Sequence, residues 1–339
     1  MPRETINSLQ AGRAIAALAV VLVHGTAATH SATAGMPDWL RLIDGHGWLG
    51  VDFFFVLSGF IMTYSHPRLA VGGLGRYAQA RLSRVMLPYL PVGIGVAALA
   101  AIMSSGVSDH WTWLASATIV PGSGSPALNV AWTLQFELAF YAVFGLSLMI
   151  GRPFAGVASW VAVAVLYNFL FDAPPARFNP WLNPIIVEFL FGMVAAKAVS
   201  SRYLPNPAAA AALSLLLYLA AGAGTEARAI FALSMAFTVV ALVRAERDGR
   251  LRVPNFLTVL GAASYSIYLV HSPLVGLGAA LSDRWWLSLC GTVAISVAAG
   301  LVYHFAWEAP MLKWIRRRRL GPGSPELPPR VDPAVSLIG

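Results

Sequence analysis

Apolar stretches of about 20 residues, the length a helix needs to cross the hydrocarbon layer of a bilayer, recur from one end of this sequence to the other. They fall near residues 7–27, 46–65, 85–104, 129–150, 154–171, 183–200, 207–223, 227–245, 257–280 and 286–307. Of the 339 residues, 58% are hydrophobic and 11% charged, against about 25% charged in ordinary soluble domains. No room remains for a separate soluble domain. The expected fold is all-α: a polytopic membrane protein forming a bundle of about ten transmembrane helices over residues 1–316. A basic, then Pro/Gly-rich disordered tail follows over 317–339.

The net charge of +8 would point to nucleic acid in a soluble protein, but in a membrane protein cations are first tested against the positive-inside rule. With the N-terminus inside, eighteen Lys and Arg fall in inner loops and tails, whereas only Arg41, Arg177, Arg228 and Arg284 fall outside. Both termini are therefore expected in the cytoplasm. The basic balance sets orientation and implies no nucleic-acid partner. The single cysteine, Cys290, lies in an apolar stretch, which excludes an intramolecular disulfide and a Cys-based metal site; a free Cys there is expected to be a small core residue. Arg3, the run AIAALAVVLV and the small residues SATAG also resemble a signal peptide, a reading that the mature N-terminal sequence separates from a first span.

Polar turns divide most of the apolar stretches, and no internal repeat of the transporter kind is visible. Two expected outer connections are longer, 28–45 and 105–128, the second with Trp111 and Trp113 as interfacial anchors. The inner segment 66–84 reads as a glycine turn followed by a short basic helix leading into the third span.

Ionisable groups at membrane depth are costly and mark cavities or partners. In GRAIAALAVVLVHG, Arg13 and His24 are eleven residues apart; on a helix that is almost three turns, so they share one face about 16 Å apart along the axis. Following the spans in turn puts Arg13, Arg81 and Arg84 in or near the inner half, and His24, Asp52, Glu137, Glu188 and His271 deeper or toward the outer half. Fixed guanidinium groups suit phosphates. An imidazole beside a carboxylate suits removal of a proton from a hydroxyl. An anionic donor entering from inside and a hydroxyl acceptor entering from outside would meet near His24. Each group also has a plainer role: His24 bonded to a backbone carbonyl, Asp52 and Glu137 in structural hydrogen bonds, Arg81 and Arg84 snorkelling to the interface, His304 and Glu308 anchoring the last helix. No metal-ligand spacing joins His30, His46, His66 and His110.

Taken in order, these motifs resemble the acyltransferase-3 family of bacterial membrane O-acyltransferases. The matching segments are Arg13 with His24, GVDFFFVLSGF with Asp52, RLSR with Arg81 and Arg84, WTLQFELAFY with Glu137, SYSIYLVH with His271, and WEAP with Glu308, over roughly residues 6–316. The resemblance implies a bundle of about ten helices in the bacterial cytoplasmic membrane that carries an acyl group from cytoplasmic acyl-CoA to a carbohydrate hydroxyl. It implies His24 as the catalytic histidine and Arg13, Arg81 and Arg84 as the residues that bind CoA. Asp52, Glu137 and His271 complete the expected catalytic set, with Asp52 orienting His24. The opening segment looks most like members serving exopolysaccharide synthesis.

The function expected is therefore O-acetylation of an exopolysaccharide or its lipid-linked oligosaccharide precursor, with acetyl-CoA as donor, no metal, and polysaccharide-synthesis machinery as a partner. Transfer is expected to be direct, with a two-step route through an acyl-histidine as the internal rival. A proton-coupled transporter or flippase of polyprenyl-linked sugars would also place His, Asp and Glu in the membrane, but its relay should cross the whole thickness, and the inner half here is cationic. A non-catalytic scaffold leaves the alignment of Arg13 with His24 unexplained.

Overall fold

A computed structural model describes residues 6–40, 49–65, 73–103, 111–171, 179–199, 201, 206–220 and 225–320. Residues 321–339 of the expected tail and His46, His66, His110, Arg41 and Arg177 lie outside these. The described residues are helical apart from turns and one isolated bridge between Ala34 and Arg284. In chain order the helices are α1 (Asn7–Ala32), α2 (Leu49–Ser65), α3 (Gly73–Met103), α4 (Trp113–Thr118), α5 (Trp132–Met149), α6 (Pro153–Phe171), α7 (Val187–Val199), α8 (Pro207–Ala220), α9 (Thr225–Arg247), α10 (Asn255–Ala262), α11 (Ser264–Ala279), α12 (Trp285–Tyr303) and α13 (Ala309–Leu320). A π-helical turn, His304–Glu308, joins the last two.

Each of the ten apolar stretches carries a helix. Among the described residues, the segments long and apolar enough to cross a membrane are Asn7–Ala32, Gly73–Met103, Asn129–Met149, Pro153–Phe171, Arg228–Arg247 and Trp285–Ile315, with Leu49–Ser65 and Ala208–Leu217 apolar but shorter. The surface shows what surrounds them. Helix α6 buries only the i, i+4, i+7 stripe of Val157, Val161 and Ala164, while Phe169 is 83% exposed and Leu166 55%. A helix apolar all round with so narrow a buried stripe is matched to lipid. The same logic corrects Cys290, which is exposed on α12: where lipid is the surrounding solvent, a small apolar residue gains nothing by turning inward.

Two expectations about local structure change. From Gly73 on, the expected basic helix and the third span are one continuous helix, α3, with Pro88 and Pro91 inside it; residues 66–72 of that segment lie outside the described residues. RYAQARLSR is made of good helix formers that lead straight into the apolar run, and membrane helices tolerate interior proline. The connection before α5 holds the short helix α4, capped by the Thr112 hydroxyl, which accepts from Ala115 N–H at 3.0 Å. Trp113 is exposed and Trp111 buried, so only Trp113 suits the anchoring role expected of both.

The chain divides into two compact units, Met1–Val51 with Glu246–Gly339, and Asp52–Ala245. In the first, α1 packs against α10, α11 and α12. The N-cap of α1, Ile6, offers no side-chain acceptor; the Glu246 carboxylate accepts instead, from Asn7 N–H at 2.8 Å and Ser8 N–H at 2.7 Å, an anion at the positive end of the helix. In the second unit, α3 packs on α5, α5 on α6 and α6 on α7. Helices α2 and α7 meet backbone to backbone: a Cβ at Gly59 would overlap the Phe189 carbonyl oxygen, and one at Gly192 the Val56 carbonyl oxygen. Small residues permit such close approach between membrane helices.

Candidate active site

The sequence-selected residues fall into two groups, one in each unit. In the first, Arg13 and His24 both ride on α1, an unbroken helix, so the eleven-residue spacing keeps its rise of about 16 Å. Arg13 is buried and His24 half-buried. Helix α11 brings in His271. Its Nε2 lies 2.9 Å from His24 Nδ1, and the rings are stacked, with centroids 5.0 Å apart and an interplanar angle of 29°. His271 is fully buried, and its Nδ1 lies 3.3 Å from the Ile267 carbonyl oxygen one turn back. His24 thus has an imidazole partner.

Five residues before His271 on the same helix, the Ser266 hydroxyl donates to Glu308 Oε2 at 2.6 Å, and His304 Nδ1 donates to the same oxygen at 2.9 Å. All three side chains are buried. The expected anchoring of the last helix is therefore specific. It acts through a carboxylate in a π-helical turn, a local widening that aims side chains a regular helix would not.

The second group lies within Asp52–Ala245. Asp52 is fully buried, and its Oδ1 accepts from Arg228 at 2.5 Å. Glu188, also buried, lies close enough to interact with both charges. The cation count places Arg228 among the outer charges; the sequence signal for its pairing is its place at the threshold of the 227–245 apolar stretch, where a charge needs a partner. On α5, Glu137 Oε1 accepts a short hydrogen bond from Tyr141 and a second from the Ser58 hydroxyl at 3.3 Å. The Arg81 guanidinium sits 5.7 Å from the centroid of the Tyr141 ring, a cation–π distance. Tyr77 donates to the Tyr141 carbonyl at 2.9 Å. Tyr141 therefore links Glu137 to Arg81, a role legible only as the i+4 position from Glu137. Arg81 and Arg84 are both buried, so neither snorkels outward.

Chemically, the first group offers a nitrogen base with a polar partner and an arginine along the same helix; the second offers buried guanidinium groups among carboxylates and tyrosines. Among the described residues, no cluster of three or more His, Cys, Asp or Glu is arranged to hold a metal.

Comparison with known proteins agrees with this inventory. Residues 6–304 match the family described as an acyltransferase domain, acyltransferase-3. The exopolysaccharide production protein ExoZ of Rhizobium meliloti strain 1021 is 30% identical over 299 residues, covering 82% of this chain and 93% of the relative. Acyltransferase MdmB of Streptomyces mycarofaciens is 26% identical over 392 aligned residues, covering 99% of each. No solved structure matches. With the family match spanning most of the chain, and the motif residues set on membrane-type helices, this chain belongs to the acyltransferase-3 family.

Proposed function

We propose that the protein is a bacterial inner-membrane enzyme that moves an acyl group, acetyl being the simplest, from cytoplasmic acyl-CoA to a hydroxyl of an exopolysaccharide or its lipid-linked oligosaccharide precursor. Its helices make about ten crossings with both termini in the cytoplasm. The half-buried His24, hydrogen-bonded on one side by a second imidazole, is the observation that carries the reading, together with the family membership. His24 takes the proton of the acceptor hydroxyl, and the oxygen attacks the thioester carbonyl carbon. The C–S bond then breaks, and the departing thiolate recovers the proton from His24. The products are an ester and free CoA thiol. Arg13, Arg81 and Arg84 are the donor-binding residues, chosen because a guanidinium presents a rigid fork of donors to phosphate. His271 supports His24 directly, while Asp52 holds Arg228 and Glu137 reaches Arg81 through Tyr141.

The test is acetyl-CoA binding and single-turnover transfer, measured on purified variants. His24→Ala is expected to bind acetyl-CoA normally while transfer falls ~10² to 10⁴-fold, the usual worth of general-base assistance. Arg13→Ala should show the reverse, with donor binding weakened more than the chemical step at saturating donor. Normal transfer by His24→Ala would refute the assignment of the base. Wild-type protein that binds no acyl-CoA would refute the donor and return the chain to sugar transport.

A further inference from the structure

The two imidazoles carry more information than their proximity. A backbone carbonyl oxygen can only accept a hydrogen bond, so the contact between His271 Nδ1 and the Ile267 carbonyl requires the proton to be on Nδ1. A neutral imidazole has one N–H and one bare nitrogen; His271 Nε2 is then the bare one. That nitrogen lies 2.9 Å from His24 Nδ1, so it must accept, and His24 Nδ1 must donate. The proton of His24 is thereby placed on Nδ1, and its Nε2 keeps an open lone pair.

We infer that His271 is a positioning residue that locks His24 into the Nδ1–H tautomer, leaving Nε2 as the basic atom. Carbonyl, imidazole and imidazole form one relay, through which the backbone of α11 directs the proton of His24. Burial supports it: His271 is fully enclosed, where an unmatched ring nitrogen would be costly, while His24 is half-buried and retains an accessible side. The inference specifies the atom used by the base in the reading above, and in that sense rests on it; the tautomer itself does not. An orienting partner for a catalytic histidine is more often a carboxylate. A neutral imidazole fixes the tautomer without adding a negative charge to the site.

The proposal is tested first by long-range ¹H–¹⁵N correlation spectra of the full-length protein, ¹⁵N-labelled at histidine and held in detergent micelles, with His24 signals identified by their loss in His24→Ala. The expected result is a proton on Nδ1 and none on Nε2 for both His24 and His271. The Val20 carbonyl, one turn back on α1, also interacts with the His24 ring, so in His271→Leu the Nδ1–H preference of His24 should weaken measurably toward the Nε2–H form. In His271→Gln, whose amide oxygen can accept from Nδ1–H at a similar reach, it should be restored. A wild-type His24 protonated at Nε2, or an unchanged His24 in His271→Leu, would overturn the proposal. In parallel, transfer from acetyl-CoA to chemically deacylated polysaccharide of the producing cells should fall roughly 10²-fold or more in His271→Leu, since tautomer-fixing partners are worth up to about 10⁴-fold. The loss should appear in turnover with acetyl-CoA affinity unchanged, and His271→Gln should return to within about tenfold of wild type. Equal turnover in His271→Leu and wild type would overturn the proposal. Should the spectra come out as expected while wild-type protein transfers nothing from acetyl-CoA, the tautomer assignment stands and the acyltransfer reading falls.

Discussion

An aspartate with no exposed surface needs its charge matched, and Asp52 finds that match 176 residues away in Arg228. The pair is unequal: the Arg228 side chain keeps 27% of its surface, the Asp52 side chain none. Removing one partner of a fully buried pair costs about 3–5 kcal/mol because the other charge is stranded. Here Asp52→Asn strands the cation that still reaches solvent or headgroups, so a loss of about 1–2 kcal/mol is expected, discounted for that exposure. Arg228→Gln strands the enclosed carboxylate and should cost more, and the double variant should be less damaged than the sum of the two. Thermal melting in detergent of the three proteins decides it; a single variant Asp52→Asn as stable as wild type would show that the pair contributes nothing. Sequence alone singled out Asp52 as a buried acid. It gave no means of choosing between His24 and Arg228 as its partner, because both pairings join residues from distant helices.

At the scale of elements, the helix that carries Arg13 and His24 is held at its start by a carboxylate from the end of α9. Glu246→Ala removes the acceptor for Asn7 N–H and Ser8 N–H, and losing an N-cap acceptor costs about 1 kcal/mol. The same variant also removes an anion from the positive helix end, adding roughly 0.3–1 kcal/mol. A lower melting temperature is expected, with faster amide exchange confined to the first turn of α1; unchanged exchange there would show that the cap is dispensable. The crossing of α2 and α7 makes a harsher demand. Gly192→Leu would drive a side chain into the Val56 carbonyl and should prevent stable assembly, read as loss of the monodisperse peak in detergent. Helix existence was legible in the apolar periodicity. The break at Ala263 between α10 and α11 was not, since it depends on how neighbouring helices pack.

For the whole molecule, orientation in the bilayer is read from two exposed loop positions. With Cys290 replaced by serine, Asp248→Cys and Asp283→Cys place single exposed thiols at opposite ends of the α10–α11 pair. The cation asymmetry predicts the first inside and the second outside. Intact cells treated with a membrane-impermeant maleimide should label Asp283→Cys and spare Asp248→Cys until the membrane is opened. The opposite pattern would invert the molecule and move the arginines proposed to bind the donor to the outer face.

The sequence by itself determined the solvent in which this chain folds, the helical class, and the family, because these depend on local composition and on motifs read along the chain. It also identified His24 and His271 separately. Only the tertiary structure decided that they meet: 247 residues part them along the chain and 2.9 Å part their nitrogens. The same holds for Asp52 with Arg228, and for Ser266 and His304 on Glu308. The physical reason is that a hydrogen bond between helices is fixed by packing, by which stripe each helix buries and how closely two backbones approach, and no spacing along a single chain encodes that directly.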